Sequence, residues 1–367
     1  MTEESKDMDL EALRDQIDRI DQEMLVLINN RADYAMQVAE AKVAASEETP
    51  PVFYRPDREA QVLRNLATQN PGPMSSKNVT LIFRQIMSAC LALEEPMRIA
   101  YLGPEGTFTQ EATLQHFGNA IVGQPMVTVD DIFREVASGN VHYGVVPVEN
   151  SSEGVISHTL DNFLSSALRI CGEAELRVHH HLMVAPGGTG RIDRICSHQQ
   201  TLGQCRHWLD SHYPNVERIP ASSNAQAAMI AKEDAHSAAI AGEIAAEIYE
   251  LEVLASNIED QIDNTTRFIV VGREEVAPSG GDKTSIMVSM ENKPGALFKV
   301  LEPFHRAGVS LTSIETRPSK AGKWSYVFFI DFEGHVSDSS IQNLLEEVDR
   351  GALEIKLLGS YPRALQV

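Results

Sequence analysis

Arg31 interrupts a stripe of apolar side chains, four residues after Leu27 and three before Tyr34, and Lys42 follows eleven residues later. Eleven residues is close to three turns of an α-helix, so the guanidinium and the ammonium share one face. Arg14 lies nearer the other end of the same pattern. Arg58 and Glu59 open the next one, and Glu94 falls on the face that carries Phe83, Met87 and Cys90 in a third. A charge on an apolar face is costly unless it is paired. Two readings follow: ion pairs buried within a helical interior, or a pocket for a small dianion, since Arg and Lys both hold carboxylates well.

A second group of residues stands in a different setting. GPEGTF, Gly103 to Phe108, joins an apolar run to a helical one. A glycine-bearing turn before a helix start can receive an anion. The turn is neither GxGxxG nor a Walker loop, and a tight structural turn is the plainer alternative. HYGVVPVENSSEG, His142 to Gly154, delivers Pro147, Glu149, Asn150, Ser151 and Ser152 at the end of a buried strand. Open α/β sheets place ligands there, although a capped turn would use the same residues. Asn264-Thr265-Thr266-Arg267-Phe268 heads another strand, where Arg267 would face a carboxylate and Thr266 could bond to a leaving hydroxyl. His179, His180 and His181 invite a metal reading. In a strand, however, neighbours point to opposite faces, so only His179 and His181 share a side and no metal site is expected. Towards the end, NKPGAL (Asn292 to Leu297) leads from a strand into a helix start, and ETRP (Glu315 to Pro318) closes a strand; each could be a turn and nothing more.

The elements behind these residues fall into three segments. Over residues 1–96, Leu10, Leu13, Ile17, Ile20, Met24 and Leu27 recur at helical spacing, continued by Tyr34, Val38 and Ala41 up to Pro50 and Pro51. A helix of that length spans about 50 Å and is too long for two short partners to cover, so a homodimer or a higher assembly is expected. Pro56 suits the first turn of a second helix, Asp57 to about Gln69; Asn70-Pro71-Gly72-Pro73 breaks it, and Ser75 or Ser76 caps a third. Residues 97–276 alternate short apolar runs with helical patterns, which predicts an α/β architecture with largely parallel sheets in two lobes around a cleft. After the linker Ala277-Pro278-Ser279-Gly280-Gly281, residues 277–367 read strand, helix, strand, strand, helix, strand. That is the α+β, ferredoxin-like βαββαβ plan of a small regulatory module.

These motifs make specific resemblances. ALRDQIDRID, NNRADYAMQVAEAK, RPDRE and the closing helix resemble the all-helical class of chorismate mutase. The resemblance implies that Arg14, Arg31 and Arg58 hold carboxylates, that Lys42 donates to the ether oxygen of chorismate, and that Glu59 accepts from its hydroxyl, with Cys90 and Glu94 completing the site. The reaction is a pericyclic rearrangement to prephenate that needs no cofactor. An acceleration of ~10⁶ corresponds to about 8 kcal/mol, within reach of positioning plus one or two aimed donors. Many members carry Gln at the position of Glu94 and Asp at that of Arg55. A carboxyl can donate only when protonated, so a catalytic Glu94 implies mutase activity that falls as pH rises.

GPEGTF, HYGVVPVENSSEG and TTRF, in that order and with SHQQTLGQC and ASSNAQAA, are similar to prephenate dehydratase, whose two-lobed fold is like that of periplasmic binding proteins. The reaction expels water and CO2 from prephenate to give phenylpyruvate. By this resemblance Thr266 assists hydroxyl departure, Arg267 binds a carboxylate and Phe268 shapes the cleft, with Glu149, Asn150 and Ser151 as the opposite wall. NKPGAL and ETRP resemble the amino-acid-binding ACT module. The implied ligand is L-phenylalanine, held between paired modules by Asn292, Gly295, Ala296, Leu297, Glu315, Thr316, Arg317 and Pro318, with feedback inhibition as the expected consequence.

A formal net charge of -21 argues against nucleic acid and anionic membranes as partners, and means that anionic substrates must be drawn in by local cations. Met1 to Asp9 is polar and acidic with no apolar run behind it, and Cys90, Cys171, Cys196 and Cys205 form no CxxC pair, so a reduced, cytoplasmic protein is expected. Two other readings remain at this stage. One is a small-molecule binding and sensing protein, and the other is a dehydratase whose mutase site has decayed.

Overall fold

The computed structural model describes residues 10–45, 54–152, 154–187, 191–291, 293–318 and 326–364. The first segment is three helices, α1 (Leu10–Ala45), α2 (Pro56–Gln69) and α3 (Ser76–Glu94). Pro56 opens α2, and the Ser75 hydroxyl caps α3 by accepting from the N–H of Asn78 at 3.2 Å. Pro50 and Pro51 lie outside the described residues. Along α1 the predicted stripe is real but uncovered: Leu10 is 60 % exposed, Ile17 57 %, Ile20 54 % and Leu27 66 %. A monomer rarely leaves so continuous an apolar strip in water.

The second segment builds two lobes. The first holds β1 (Arg98–Leu102), α4 (Phe108–Phe117), β2 (Val122–Met126), α5 (Val129–Ala137), β3 (Tyr143–Asn150), β4 (Gly154–Val155), α6 (Ser157–Phe163) and β5 (Arg169–Arg177). The chain then crosses to the second lobe: β6 (His181–Val184), β7 (Arg194–His198), α7 (Gln199–Gln204), α8 (Arg206–His212), β8 (Glu217–Ala221), α9 (Asn224–Glu233), β9 (Ser237–Ala241), α10 (Glu243–Tyr249) and β10 (Glu252–Ala255). It returns to the first lobe as β11 (Thr265–Gly272). The sheet orders are β2-β1-β3-β11-β5, with β4 on β3, and β10-β6-β9-β7-β8. Two lobes were expected, but the sheets are mixed rather than largely parallel. β1 runs parallel to β2 and β3, whereas β11 is antiparallel to both β3 and β5. The reason is the route of the chain: β11 enters from the second lobe without the helical crossover that a parallel connection needs.

The third segment is β12 (Asp282–Met290), α11 (Ala296–Ala307), β13 (Leu311–Pro318), β14 (Tyr326–Glu333), α12 (Ser339–Gly351) and β15 (Glu354–Pro362), in the antiparallel order β13-β14-β12-β15. One face of this sheet packs Ile286, Val288, Ile330 and Phe332 on its own helices. The other sends Met287, Val327, Phe329 and Tyr361 into the core of the first lobe, beside Ile269 and Val271 of β11. The linker is tied to the helical segment, because Arg64 of α2 donates to the carbonyls of Ser279 and Gly281 at 2.8 and 3.0 Å.

Candidate active sites

Helical periodicity brings Arg31 and Lys42 to one side of α1, and α2 and α3 close a pocket over them. Its volume is about 660 Å³, and Arg31, Lys42, Arg58, Glu59, Cys90 and Glu94 line it together with Tyr54 and Arg55. Arg14 does not. It lies 17 residues before Arg31 on the same helix, roughly 25 Å away, and cannot reach this pocket from its own chain. One carboxyl oxygen of Glu94, Oε2, is shielded from solvent and has no hydrogen-bond partner among the described residues. Burial raises the pKa of Glu94, while Lys42 and Arg31 oppose the shift. Glu59 is raised by burial too, against the pull of Arg84 on α3, whose Nε stands 3.3 Å from its carboxylate. Arg84 also donates to the carbonyl of Gln115 at 2.9 Å, so it joins this pocket to the next domain. Arg55 forks onto Asp57 at 3.0 and 2.8 Å and is exposed. Tyr54 and Arg84 escaped the sequence reading, since neither lies on the stripe that marks the other residues.

The second site is a cleft of about 380 Å³ between the lobes. From the first lobe it takes Phe108 and Thr109, at the start of α4, with Asn150, Asn264, Thr266 and Phe268. From the second it takes His180, Thr201, Gln204 and residues 222–224. Asn150 donates from Nδ2 to Oγ1 of Thr266 at 2.8 Å and to Oδ1 of Asn264 at 2.9 Å. Gln204 offers its carbonyl to His180 Nε2 at 2.9 Å and to Asn264 Nδ2 at 3.4 Å. Two buried polar atoms here have no partner among the described residues, the acceptor Nδ1 of His180 and the donor Nε2 of Gln204. Burial lowers the pKa of His180 and keeps the ring neutral. The lobes meet over the GPEGTF turn: Tyr249 donates to the carbonyl of Glu105 at 2.8 Å, and a Cβ on Gly242 would stand 2.7 Å from the ring of Phe108. That approach leaves room only for glycine. Glu111 of α4 faces Glu243 of α10 across the same seam, and its pKa is pushed up to about 7 by burial first and by Glu243 second.

Three expected members of this cleft are elsewhere. Side chains alternate along β11, so Thr266 and Phe268 face the cleft while Arg267 points through the other face of the sheet. There Arg267 lies against Glu173 at 2.9 Å and Asp331 at 2.6 Å. Glu149, the register partner of Arg267, shares that far side. Ser151 is exposed and accepts from Thr265 N at 2.9 Å while donating to Asp263 O at 3.1 Å. Asn150 is the register partner of Thr266, so these two form one wall and the second lobe forms the opposite one. His180 and Gln204 were missed, and Asn264 was noted only as the head of its strand with no role given. The signal for the first two lay in the histidine run, whose central member turns inward, and in SHQQTLGQC. His179 binds Glu259 at 2.8 Å.

In the third segment, β12 and β13 flank β14 in parallel, and Met290 and Pro318 are both in register with Tyr326. The helix start at Gly295–Leu297 and the strand end at Glu315–Pro318 therefore sit at the same end of the sheet, two strands or roughly 10 Å apart. Gly295 caps α11 with φ at 79°, a left-handed backbone that suits glycine. Asn292 lies outside the described residues. Arg317, expected to hold the ligand, forks onto Asp161 of α6 within the same chain at 3.0 and 3.1 Å. Glu315 lies beside Glu149 and Asp331, and burial first and then these two carboxylates raise its pKa.

Comparison with known proteins matches all three segments. The model for chorismate mutase type II covers residues 13–95, that for prephenate dehydratase residues 99–276, and that for the ACT domain residues 284–350. A bifunctional chorismate mutase/prephenate dehydratase of Pseudomonas aeruginosa is 56% identical over 97% of this chain and 98% of its own length. Among solved structures, prephenate dehydratase of Arthrobacter aurescens in complex with L-Phe aligns with a TM-score of 0.68 and 38% identity, over 73% of this chain and 90% of that one. GqqA, described as a novel type of quorum quenching acylase, aligns with a TM-score of 0.67 and 28% identity, over 73% of this chain and 98% of that one. One fold thus carries more than one activity, and the chemistry has to be argued from the site.

Proposed function

The chain belongs to the bifunctional chorismate mutase/prephenate dehydratase family, and on that premise we propose that it converts chorismate to prephenate in the helical pocket and prephenate to phenylpyruvate in the two-lobed cleft. The observation that carries the first step is the meeting of Arg31, Lys42, Arg58, Glu59 and Glu94 around a single cavity. Arg31 and Arg58 hold the carboxylates, Lys42 and protonated Glu94 donate to the ether oxygen, and ionised Glu59 accepts from the hydroxyl. The shielded, unpartnered oxygen of Glu94 supports a carboxyl that donates rather than one that repels. Arg14 belongs to a pocket on a second copy. In a homodimer the two α1 stripes cover each other and each helix supplies Arg14 to its partner's site.

In the cleft, Thr266 is the donor to the departing hydroxyl. Asn150 occupies its acceptor side, so the threonine O–H is left to point at substrate. The orphan Nδ1 of His180 and Nε2 of Gln204 give prephenate one acceptor and one donor more. Phe108 and Phe268 close the floor around the ring. The lining residues named above include neither Arg nor Lys, which suits a decarboxylation: a guanidinium gripping the departing carboxylate would stabilise the ground state and hold back the electrons that must enter the ring. The opposite carboxylate meets backbone N–H groups at the starts of α4 and α9, where helix dipoles favour an anion.

We take residues 1–96, 97–276 and 277–367 as the mutase, dehydratase and ACT units. L-Phenylalanine bound at Gly295–Leu297 and Glu315–Thr316 inhibits the dehydratase by favouring one arrangement of the tail over another. Among the described residues no helix is long and apolar enough to cross a membrane, and the enzyme works in the cytoplasm on small anionic substrates. The decisive experiment supplies chorismate and then prephenate to the purified chain and follows phenylpyruvate, with and without phenylalanine. Loss of chorismate without phenylpyruvate would remove the second assignment, phenylpyruvate from prephenate alone would remove the first, and binding without turnover would leave a sensing protein.

A further inference from the structure

Each of the three guanidinium nitrogens of Arg267 has a partner. Nε bonds to Glu173 Oε2 at 2.9 Å, NH1 to Asp331 Oδ2 at 2.6 Å and NH2 to the Tyr361 hydroxyl at 3.1 Å. Lys283 shares the same Glu173 oxygen at 2.8 Å, and the Ser285 hydroxyl links Tyr361 to Asp331. Two cations and two carboxylates balance, and no side chain of the four is more than 14% exposed. Ownership is divided. Glu173 and Arg267 belong to β5 and β11 of the dehydratase, while Lys283, Asp331 and Tyr361 belong to β12, β14 and β15 of the tail.

Thr266 is the residue before Arg267 and faces the other way. At the same point the pairing of β11 with β3 slips, with an extra residue on β3 between the partners of Arg267 and Phe268. A bulge of this kind bends its strand and locally disrupts the ladder, so the pairing beside Thr266 is less regular here than along the rest of β11 and β3. Burial alone would lower the pKa of Arg267, yet Tyr361, Asp331 and Glu173 keep it firmly charged. Withdrawing one partner would therefore leave a buried charge seeking a new position.

Building on the dehydratase assignment above, we propose that Arg267 is a positioning residue: anchored by Asp331 and Tyr361 of the ACT module, it fixes β11 beside the bulge and with it the placement of Thr266 against Asn150 in the cleft. The tail thereby completes the dehydratase site from behind, without touching substrate, and a rearrangement of its sheet reaches the threonine hydroxyl through one side chain.

The test compares Asp331→Asn, Tyr361→Phe, Arg267→Gln and the Asp331→Asn/Arg267→Gln double variant in the full chain, with kcat and KM measured on prephenate. Loss of aim lowers kcat by ~10-fold or more for Asp331→Asn and leaves KM within about 2-fold, because misplacement costs rate rather than affinity. The double variant turns over no more slowly than Arg267→Gln alone, since both act through one contact. Tyr361→Phe, which removes a single hydroxyl, lowers kcat about 3-fold and guards against a folding defect in the charged variants; melting curves of all four are recorded alongside. Wild-type kcat in both Asp331→Asn and Tyr361→Phe would overturn the proposal. So would a raised KM at unchanged kcat in Arg267→Gln, the mark of a carboxylate ligand. If the unmutated chain releases no phenylpyruvate, the failure lies with the dehydratase assignment instead.

Discussion

Nδ2 of Asn150 stands 2.8 Å from Oγ1 of Thr266, across the β3–β11 pair. An amide N–H can only donate, so the threonine oxygen accepts on that side and its own proton is directed elsewhere. Thr266→Ala removes that donor and is expected to lower dehydratase kcat by about 100-fold, in the range of a single lost transition-state hydrogen bond. Thr266→Ser keeps most of the rate. Asn150→Asp turns the donor into an acceptor, captures the threonine proton and costs about 10- to 100-fold. Mutase turnover in the same preparations stays at the wild-type level and serves as the internal reference.

Glu94, as the proposed donor to the ether oxygen, is expected to give the mutase a sloping pH profile. Its carboxyl is useful only while protonated, and burial moves its pKa upward against Lys42 and Arg31. The contribution of Glu94 is full below its raised pKa and is lost as pH climbs through it, so Glu94 sets the alkaline limb of the profile. Glu94→Gln, which donates at every pH, should level the alkaline side of the profile and leave the acid side unchanged. Initial rates of chorismate loss in acid and mildly alkaline buffers are the measurement.

Arg84 acts on the opposite limb of that profile. Burial raises Glu59 and Arg84 counteracts it. Since Glu59 must be ionised to accept from the substrate hydroxyl, Arg84→Met should shift the acid limb of mutase activity to higher pH. The low-pH rate then falls by roughly 10-fold, the effect of about one pKa unit. An acid limb at its wild-type position in Arg84→Met would separate the two residues functionally.

The lobe seam carries a pH dependence of its own. With Glu111 at about 7 in the closed arrangement, an opened or unfolded form sheds this proton first, in the ordinary carboxylate range. Between that range and about 7, closure therefore weakens as pH rises, and above it the loss is complete. The KM for prephenate is expected to rise across this interval in the wild type and to stay constant in Glu111→Gln.

The proposed covering of α1 by a second copy predicts a dissociable mutase. Ile17→Asp combined with Met24→Asp places two charges on the stripe, and sedimentation should then report monomers. Mutase activity falls by at least about 100-fold with the loss of Arg14 from the partner, while the dehydratase, whose cleft lies within one chain, keeps its rate.

The legibility of the sequence follows the range of the interactions. Helices α1 to α3 and the tail's strand-helix order could be read because period and caps are local, as with Ser75 and Pro56. The mutase pocket was legible for the same reason: Arg31 and Lys42 are misfits on a stripe that needs no tertiary information to see. Arg84 was not, since its importance comes from a carboxylate 25 residues away. TTRF was treated as one unit, and the two-residue period of a strand splits it; only Thr266 and Phe268 belong to the cleft. The direction of β11 was equally hidden, because nothing in its own residues records that the chain had left for another lobe and come back.

That excursion has a consequence for engineering. The N–H of Val178 bonds to the carbonyl of Asn264 at 2.8 Å, and that of Ile258 to the carbonyl of His180 at 2.9 Å. Departure and return thus occur at one doorway, and everything between is a cassette. Such an inserted body can be swapped between relatives, or reopened at new termini, while the rest of the chain keeps an unbroken scaffold.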